Sequence, residues 1–133
     1  MKRGQGIEIR DAHFPDRAPI DAYGNGGFRF ADMSHKGSLL CIPSGIYGWP
    51  LISAEQFDET AFSRILEEAD QIEVLLIGCG SELTLLDPEL RQRFRDLGIM
   101  ADPMSTGAAI RTYNVLLSEK RAVAAALLAV ESP

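Results

Sequence analysis

The chain has 133 residues, of which 46% are hydrophobic, and it carries a formal net charge of −6 at pH 7. A chain of this length and apolar content can bury a core without help from metals or disulfides, so we expect residues 1–133 to form a single domain. The acidic balance argues against nucleic acid and against an anionic membrane surface as the main partner.

The first half of the chain is predicted to form short strands joined by turns. Alternating apolar and polar side chains mark two strands, with a glycine-rich turn between them. A short apolar run predicts another strand, and the next segment is predicted to hold a strand that Pro50 ends. Trp49 is expected in the core or in a pocket wall. In order, these segments are residues 7–11 (IEIRD), 24–27 (GNGG), 28–31 (FRFA), 38–43 (SLLCIP) and 45–51 (GIYGWPL).

The second half begins with a predicted surface helix and a predicted central strand. The helix follows Asp58, an expected N-cap, and its apolar residues recur at helical spacing. Residues 72–78 (IEVLLIG) form a near-continuous apolar run without alternation, as expected for a central strand that is covered on both faces. The apolar residues of the helix are Ala61, Phe62, Ile65, Leu66 and Ala69.

A second helix is predicted after the central strand. Asp87 is its expected N-cap, Pro88 occupies the first helical position and Gly98 ends it. Residues 98–102 (GIMAD) then return to a short strand. This alternation of strand and helix implies a sheet with parallel pairs and right-handed crossovers, to which the first half adds antiparallel neighbours. The predicted fold class is therefore mixed α/β.

The cysteines and the first residues bear on the cellular compartment. Cys41 and Cys79 form no CxxC motif, so the sequence favours free thiols over a zinc site or a disulfide framework. His13 and His35 are isolated, and no metal site is predicted. The segment MKRGQGIEIR lacks the apolar core of a signal peptide, and no stretch approaches about 18 apolar residues. We therefore expect no transmembrane segment and a cytoplasmic location.

Residues 105–114 (STGAAIRTYN) are predicted to begin a third helix with two different faces. Apolar side chains fall on one broad face, while Gly107, Arg111 and Asn114 fall within a narrow sector on the other side. Free N–H groups in a first turn that starts at Ser105 favour an anion, and Arg111 adds a positive charge, which suits a small carboxylate or phosphate. The alternative is structural, because Ser is an ordinary N-cap and Arg beside Asn is typical of a solvated face.

The GCGSE segment after the central strand, with Gly78 and Gly80, is a second candidate site, because α/β proteins bind ligands at the carboxyl ends of strands. It is not a dinucleotide fingerprint, since Leu83 replaces the third glycine of G-x-G-x-x-G, and a tight turn is the simpler explanation. Neither Cys79 nor Ser81 has the sequence context of a catalytic nucleophile. No acid–base pair or metal set is visible, which disfavours an enzyme without excluding it, and no cofactor is predicted.

Four segments together resemble a small α/β family that includes mitochondrial complex I assembly factor 3 and the adipogenesis-associated protein. They are GNGGFRF, GIYGWP, EVLLIGCG and STGAAIRTYNVLLSEKRAVAAALL, and they cover nearly the whole chain. The most specific parts are a glycine pair after a strand and a T-x-A-A-x-R-T-Y-N pattern. Their residues here are Gly78 and Gly80, and Thr106, Ala108, Ala109, Arg111, Tyr113 and Asn114.

The resemblance implies a three-layer single domain, in which helices flank a central mixed β-sheet and additional antiparallel strands come from the N-terminal half. It also implies a closing strand within Ala122–Val130 (AVAAALLAV), although alanine favours helix. In the family the glycine turn and the third helix face a shared cleft. The residues of this predicted binding cleft are Gly78, Gly80, Ser105, Thr106, Gly107, Arg111 and Asn114.

Two functions are compatible with the resemblance. Eukaryotic members act in assembling the respiratory NADH dehydrogenase, whereas most bacterial members have no known function. The leading interpretation is a non-catalytic assembly or chaperone-like factor that binds a partner protein, such as a respiratory-complex subunit, through the cleft or through an apolar face around Trp49. The alternative is a small-molecule or anion-binding protein, or an unrecognised enzyme, that uses the cleft formed by the Gly78–Gly80 turn and the Thr106–Asn114 helix.

Overall fold

A computed structural model of the chain describes residues 8–9 and 12–133, which contain ten strands and three α-helices. Two short 3-10 turns, Ala54–Gln56 and Ala69–Gln71, flank the first helix. The helices are α1 (Ser63–Glu67), α2 (Pro88–Asp96) and α3 (Thr106–Ser118). The strands are β1 (Glu8–Ile9), β2 (His13–Phe14), β3 (Ala22–Gly24), β4 (Gly27–Phe30), β5 (Met33–Lys36), β6 (Ser38–Ile42), β7 (Gly45–Trp49), β8 (Val74–Gly78), β9 (Met100–Met104) and β10 (Val123–Leu127).

The larger sheet has six strands in the order β2-β7-β6-β10-β8-β9. Strand β8 is parallel to both of its neighbours, and β10 is antiparallel to β6, so the sheet is mixed. All five residues of β10 are buried, and helix α3 packs across β8 and β10. Ala125 lies on the α3 face of β10 between Val123 and Leu127, while Ala124 and Ala126 belong to the apolar cluster on the opposite face.

The smaller sheet has four strands in the order β1-β5-β4-β3. Strands β3, β4 and β5 form an antiparallel meander, while β1 is parallel to β5. The predicted GNGG turn joins β3 to β4 through a two-residue loop, in which Asn25 has φ 53° and Gly26 has φ 76°. Positive φ at both positions is what a tight hairpin of this type requires, and it explains the Asn-Gly pair.

The two faces of the six-stranded sheet carry separate apolar clusters. One face packs against α1 and α2 through an aromatic group that contains Trp49, Phe57, Phe62 and Phe94. The other face is covered by α3 and by the core-facing side of the smaller sheet. This arrangement confirms the predicted three-layer α/β fold with a central mixed sheet. Trp49 is buried as predicted, and its indole Nε1 donates to the Ala61 carbonyl at 2.8 Å.

The helix ends agree with the sequence for two helices and differ for one. Asp87 caps α2, and Ser105 caps α3, as predicted. Asp58 is not the N-cap of the first helix, which begins only at Ser63. The Asp58 carboxylate accepts from the Ala61 amide at 2.8 Å, and the next two amides bond to carbonyls three residues back, so this stretch is a series of tight turns. An α-helical bond to a carbonyl four residues back appears only further along.

The two central strands lie where they were predicted, with shorter limits. Residues 74–78 of the predicted 72–78 segment form β8, and residues 123–127 of the predicted Ala122–Val130 segment form β10. Of the predicted N-terminal strand, the structure describes β1 alone, and Ile7, Arg10 and Asp11 lie outside the described residues. Among the helices of the described chain, none is long and apolar enough to cross a bilayer.

Strand β9 forms one edge of the six-stranded sheet. The Met100 amide donates to Glu73, and the Met104 carbonyl accepts from Cys79, so the even-numbered residues of β9 bond toward the sheet. Residues 101 and 103 therefore point their backbone polar groups away from it. Residue 103 is proline, which has no N–H to offer at that edge.

Candidate functional site

The glycine turn and the start of α3 are in direct contact. Gly78 is the last residue of β8, and a side-chain carbon placed on it would lie 3.0 Å from both the Cα and the Oγ1 of Thr106. It would also lie 3.1 Å from the Leu127 side chain. Glycine at this position therefore allows α3 to begin against the end of the strand.

Thr106 joins three elements through its side chain and backbone. Its hydroxyl donates to the Leu128 carbonyl at 2.7 Å, directly after β10, and accepts from the Gly80 amide at 3.0 Å. The Thr106 amide donates back to the Gly80 carbonyl at 2.8 Å. The residue is fully buried, and all of these bonds are internal. Thr106 thus serves as a structural joint between the ends of β8 and β10 and the first turn of α3.

The first turn of α3 uses part of its hydrogen-bonding capacity within the protein. Ser105 accepts from the Ala108 amide at 3.3 Å, and the Thr106 amide is bonded to Gly80. Two of the donors that would favour an anion at a helix N-terminus are therefore occupied.

Gly107 and Arg111 lie together further along the outer side of α3, beside a residue from the smaller sheet. A side-chain carbon on Gly107 would overlap the Tyr23 hydroxyl and would lie 3.5 Å from Arg111 Nη1. Arg111 is exposed, and Tyr23 is half-buried. Tyr23 was absent from the predicted cleft, since nothing in its sequence neighbourhood connects β3 to a helix more than 80 residues later.

Asn114 has a structural role that its place in the helical pattern did not reveal. Its Oδ1 accepts from the Ile20 amide, and its Nδ2 donates to the Ile20 carbonyl, both at 2.9 Å. The Asn114 side-chain amide thus bonds to the backbone N–H and C=O of Ile20 in the way that a neighbouring strand would. Asn114 is half-buried, and it does not project freely beside Arg111.

The seven predicted cleft residues therefore fall into three groups. Gly78, Gly80, Ser105 and Thr106 make the junction between the sheet and α3, while Asn114 holds Ile20. Gly107 and Arg111 lie with Tyr23 on the outer side of the helix. A binding role for these residues remains a prediction.

A cavity of about 520 Å³ opens at the carboxyl ends of β8 and β10. In parallel α/β sheets this end of the strands is where ligands bind, and Gly80 is the predicted residue that lines the cavity. Two acidic side chains also line it, and its remaining wall combines apolar or small residues with the hydroxyl residues Ser53, Ser81 and Thr84. Lining residues include Ile52, Glu55, Cys79, Gly80, Glu82 and Leu128.

Three large apolar side chains in or next to the segments that line this cavity face solvent. Ile52 is 85% exposed, Leu85 is 75% exposed and Leu83 is 55% exposed. We call these three residues the apolar rim. Glu82 and Thr84 line the cavity, and the rim leucines are their immediate neighbours in the chain. The rim was not predicted from the sequence, although the leucines of LTLL follow a turn and match neither a helical stripe nor a paired strand.

Cys79 lies in the cavity wall and is a free thiol, as is Cys41 in the core. The Cys79 thiol donates to the Thr84 carbonyl at 3.5 Å. Burial raises the pKa of Cys79 above its ordinary value and raises the pKa of Cys41 to about 12. Since the thiolate is the nucleophilic form, a raised pKa does not favour catalysis by Cys79 at neutral pH.

Comparison with known proteins places the chain among relatives of similar length and fold. A solved structure from Bartonella henselae, described as an outer membrane protein, is 65% identical, with a TM-score of 0.86 over 90% of this chain and 100% of its own. An uncharacterised protein of Rhodobacter capsulatus is 44% identical over 119 residues, which are 90% of each chain.

A more distant relative carries a functional name. NADH dehydrogenase [ubiquinone] 1 alpha subcomplex assembly factor 3 of Mus musculus is 29% identical over 122 residues, which are 92% of this chain and 66% of the mouse protein. One family model matches residues 20–128, which include both sheets except β1 and β2, and all three helices. The chain therefore belongs to the family described as "Protein of unknown function (DUF498/DUF598)".

Proposed function

We propose that the protein is a non-catalytic assembly or chaperone-like factor that binds a partner protein at the apolar rim. The observation that carries this proposal is the exposure of Ile52, which lines the cavity, and of Leu83 and Leu85, which alternate in the chain with the lining residues Glu82 and Thr84. Single exposed apolar residues are ordinary, but several in neighbouring positions mark an interaction site. The cavity of about 520 Å³ has room for side chains that a partner inserts.

Charge supports a partner segment that is both apolar and basic. Glu55 and Glu82 line the cavity, and neither has an ion-pair partner within the described chain. A lysine or arginine on the partner would meet these carboxylates at the border of the apolar contact. Such charges contribute mainly to specificity and to the rate of association.

The relatives named as NADH dehydrogenase assembly factors suggest the identity of the partner. By analogy, we propose a subunit of a respiratory complex, bound in the cytoplasm before the complex is complete. The name of a distant relative supports the choice of partner, whereas the exposed residues of this chain support the choice of binding surface.

The rim can be tested with a double substitution, Ile52→Asp and Leu85→Asp. Both residues are highly exposed, so the variant should fold normally while a charge enters the proposed interface. The host should have respiratory NADH dehydrogenase but lack its own version of the present protein. In that host we expect the wild type to restore the assembled complex on native gels. The double variant should fail to restore it and should lose the subunit that copurifies with the wild type.

A matched control uses apolar residues that are exposed elsewhere. Met100 is 67% exposed and Val115 is 55% exposed, and both lie away from the cavity. Met100→Asp with Val115→Asp should leave complex assembly and copurification intact. If the rim variant and the control behave alike, the apolar rim is not the binding surface.

Anion binding is a second candidate function, favoured by Arg111. This side chain is exposed and has no ion pair among the residues that the structure describes. Gly78 is in contact with Thr106, and the cavity that Gly80 lines also carries the carboxylates of Glu55 and Glu82, which supports an anion beside Arg111 rather than at the glycine turn.

A further inference from the structure

Tyr23 and Arg111 come from distant parts of the chain and meet above Gly107. The missing side chain of Gly107 leaves the space that the Tyr23 hydroxyl occupies, and Arg111 Nη1 borders the same point at 3.5 Å. Gly107 is the second residue of α3, and glycine at this position has a packing reason, because any side chain would displace the hydroxyl.

Both polar groups lack a protein partner in the described part of the chain, and in this they differ from comparable residues. The hydroxyl of Tyr113 donates to the Ala18 carbonyl at 3.2 Å, and that of Tyr47 lies 2.8 Å from Ser44 Oγ. Tyr23 has no such bond, although it is half-buried. Arg111 likewise makes no hydrogen bond or ion pair there. Two donors therefore face one point with their hydrogen-bonding capacity unused.

The position of Tyr23 is fixed before any ligand arrives. Asn114 holds the backbone of Ile20 from the same helix that carries Arg111. Tyr23 itself pairs with Phe28 in the β3–β4 hairpin, and the Asp21 amide donates to the Arg29 carbonyl at 2.8 Å. A ligand would thus meet a phenol that is already held in place, which lowers the entropic cost of binding.

We infer that Tyr23 and Arg111 together bind a carboxylate. This inference rests on the second candidate function, anion binding at Arg111, and adds Tyr23 as a second residue that contacts the anion. A guanidinium offers two parallel N–H donors that match the two oxygens of a carboxylate, and a phenol hydroxyl can donate to one of them. One positive charge matches a singly charged, planar anion. The carboxylate belongs either to an acidic side chain of a partner protein or to a small organic acid.

The test is a titration of the isotope-labelled protein followed by NMR, with acetate, inorganic phosphate and a terminally blocked peptide that contains one Glu. For acetate we expect saturable shifts of Gly107 and of the Arg111 side chain, with tighter binding than for phosphate. Arg111→Gln should weaken acetate binding about tenfold or more, and Tyr23→Phe about threefold to tenfold. Tighter binding of the peptide than of acetate would assign the carboxylate to a protein, and equal binding would assign it to a small acid.

Two further variants distinguish specific binding at Tyr23 and Arg111 from nonspecific attraction of anions to positive charge. Arg91 lacks an ion pair within the described chain but belongs to α2, so Arg91→Gln should leave acetate binding unchanged. Gly107→Ala keeps both ligand residues and displaces the hydroxyl, so it should weaken binding about as much as Tyr23→Phe.

Three results would overturn the inference, and they differ in what they leave standing. Absence of saturable shifts with any anion removes both the inference and the second candidate function. An unchanged affinity in Tyr23→Phe removes the role of Tyr23 but leaves an anion at Arg111. Tighter binding of phosphate than of acetate removes the carboxylate assignment alone.

Discussion

The polar residues of α3 fall into two groups that are used in opposite ways. Thr106 and Asn114 spend their hydrogen bonds on the backbone of other elements. Arg111, by contrast, is exposed and bonds to nothing in the described chain, and it lies beside the half-buried Tyr23 hydroxyl, which also has no hydrogen bond there. Within the T-x-A-A-x-R-T-Y-N pattern, Thr106 and Asn114 therefore stabilise the fold, whereas Arg111 faces solvent.

This division separates stability from binding in a way that substitutions can measure. Removing a group that satisfies buried backbone atoms leaves those atoms without a partner, which is costly. Removing an exposed cation costs little stability, because its side chain is hydrated in both the folded and the unfolded state. If the division is real, stability and binding should respond to different residues of the same helix.

The largest effect is expected for Thr106→Val. This change keeps the shape of the side chain but leaves the Leu128 carbonyl and the Gly80 amide without their partner. We expect the free energy of unfolding to fall by about 2–4 kcal/mol, measured by chemical denaturation. Thr106→Ser is the control, because it keeps the hydroxyl and should cost only about 1 kcal/mol for the lost methyl group. Equal losses in the two variants would show that packing, rather than hydrogen bonding, makes Thr106 important.

A smaller effect is expected for Asn114→Ala. The two bonds to Ile20 would be lost, but the site is half-buried and water can partly replace them. We expect a loss of about 1–2 kcal/mol in the free energy of unfolding. Amide hydrogen exchange should become faster at Ile20, while the amides of β8 change only as global stability changes. Unaltered exchange at Ile20 would contradict the structural role given to Asn114.

The smallest effect on stability is expected for Arg111→Ala. The side chain fills no core volume and makes no bond in the described chain, so the free energy of unfolding should change by less than about 0.5 kcal/mol. Thermal or chemical denaturation beside Arg91→Ala gives the comparison. A loss as large as that of Asn114→Ala would place Arg111 with the structural residues and end the contrast between the two groups of polar residues in α3.

The fold was predictable where local patterns and burial agree. The apolar run of β8 and the Asp-Pro start of α2 are local signals, and both are confirmed. Strand β10 shows where local signals fail, since its run of alanines favours helix by intrinsic propensity. It is a strand because β6 and β8 flank it on both sides, and only the family resemblance carried that information. Tertiary pairing overrides propensity in such a segment.

The candidate site was predictable only in part, because its contacts join distant segments. Helical spacing placed Gly107 and Arg111 together, and the structure has them as neighbours. The same spacing could not show that Asn114 reaches Ile20, 94 residues away in the chain, or that Tyr23 lies over Gly107. The apolar rim was missed for a related reason, since exposure is a property of the assembled fold.

Pro103 has a consequence for the behaviour of the protein at high concentration. An open edge strand is a template on which a second chain can extend a sheet, and continued extension leads to aggregates. Along the outer edge of β9, where residues 101 and 103 face away from the sheet, Ala101 alone has an N–H to offer, because Pro103 has none. The proline therefore makes β9 a poor template for sheet extension, which lowers the tendency of the folded protein to aggregate through this edge.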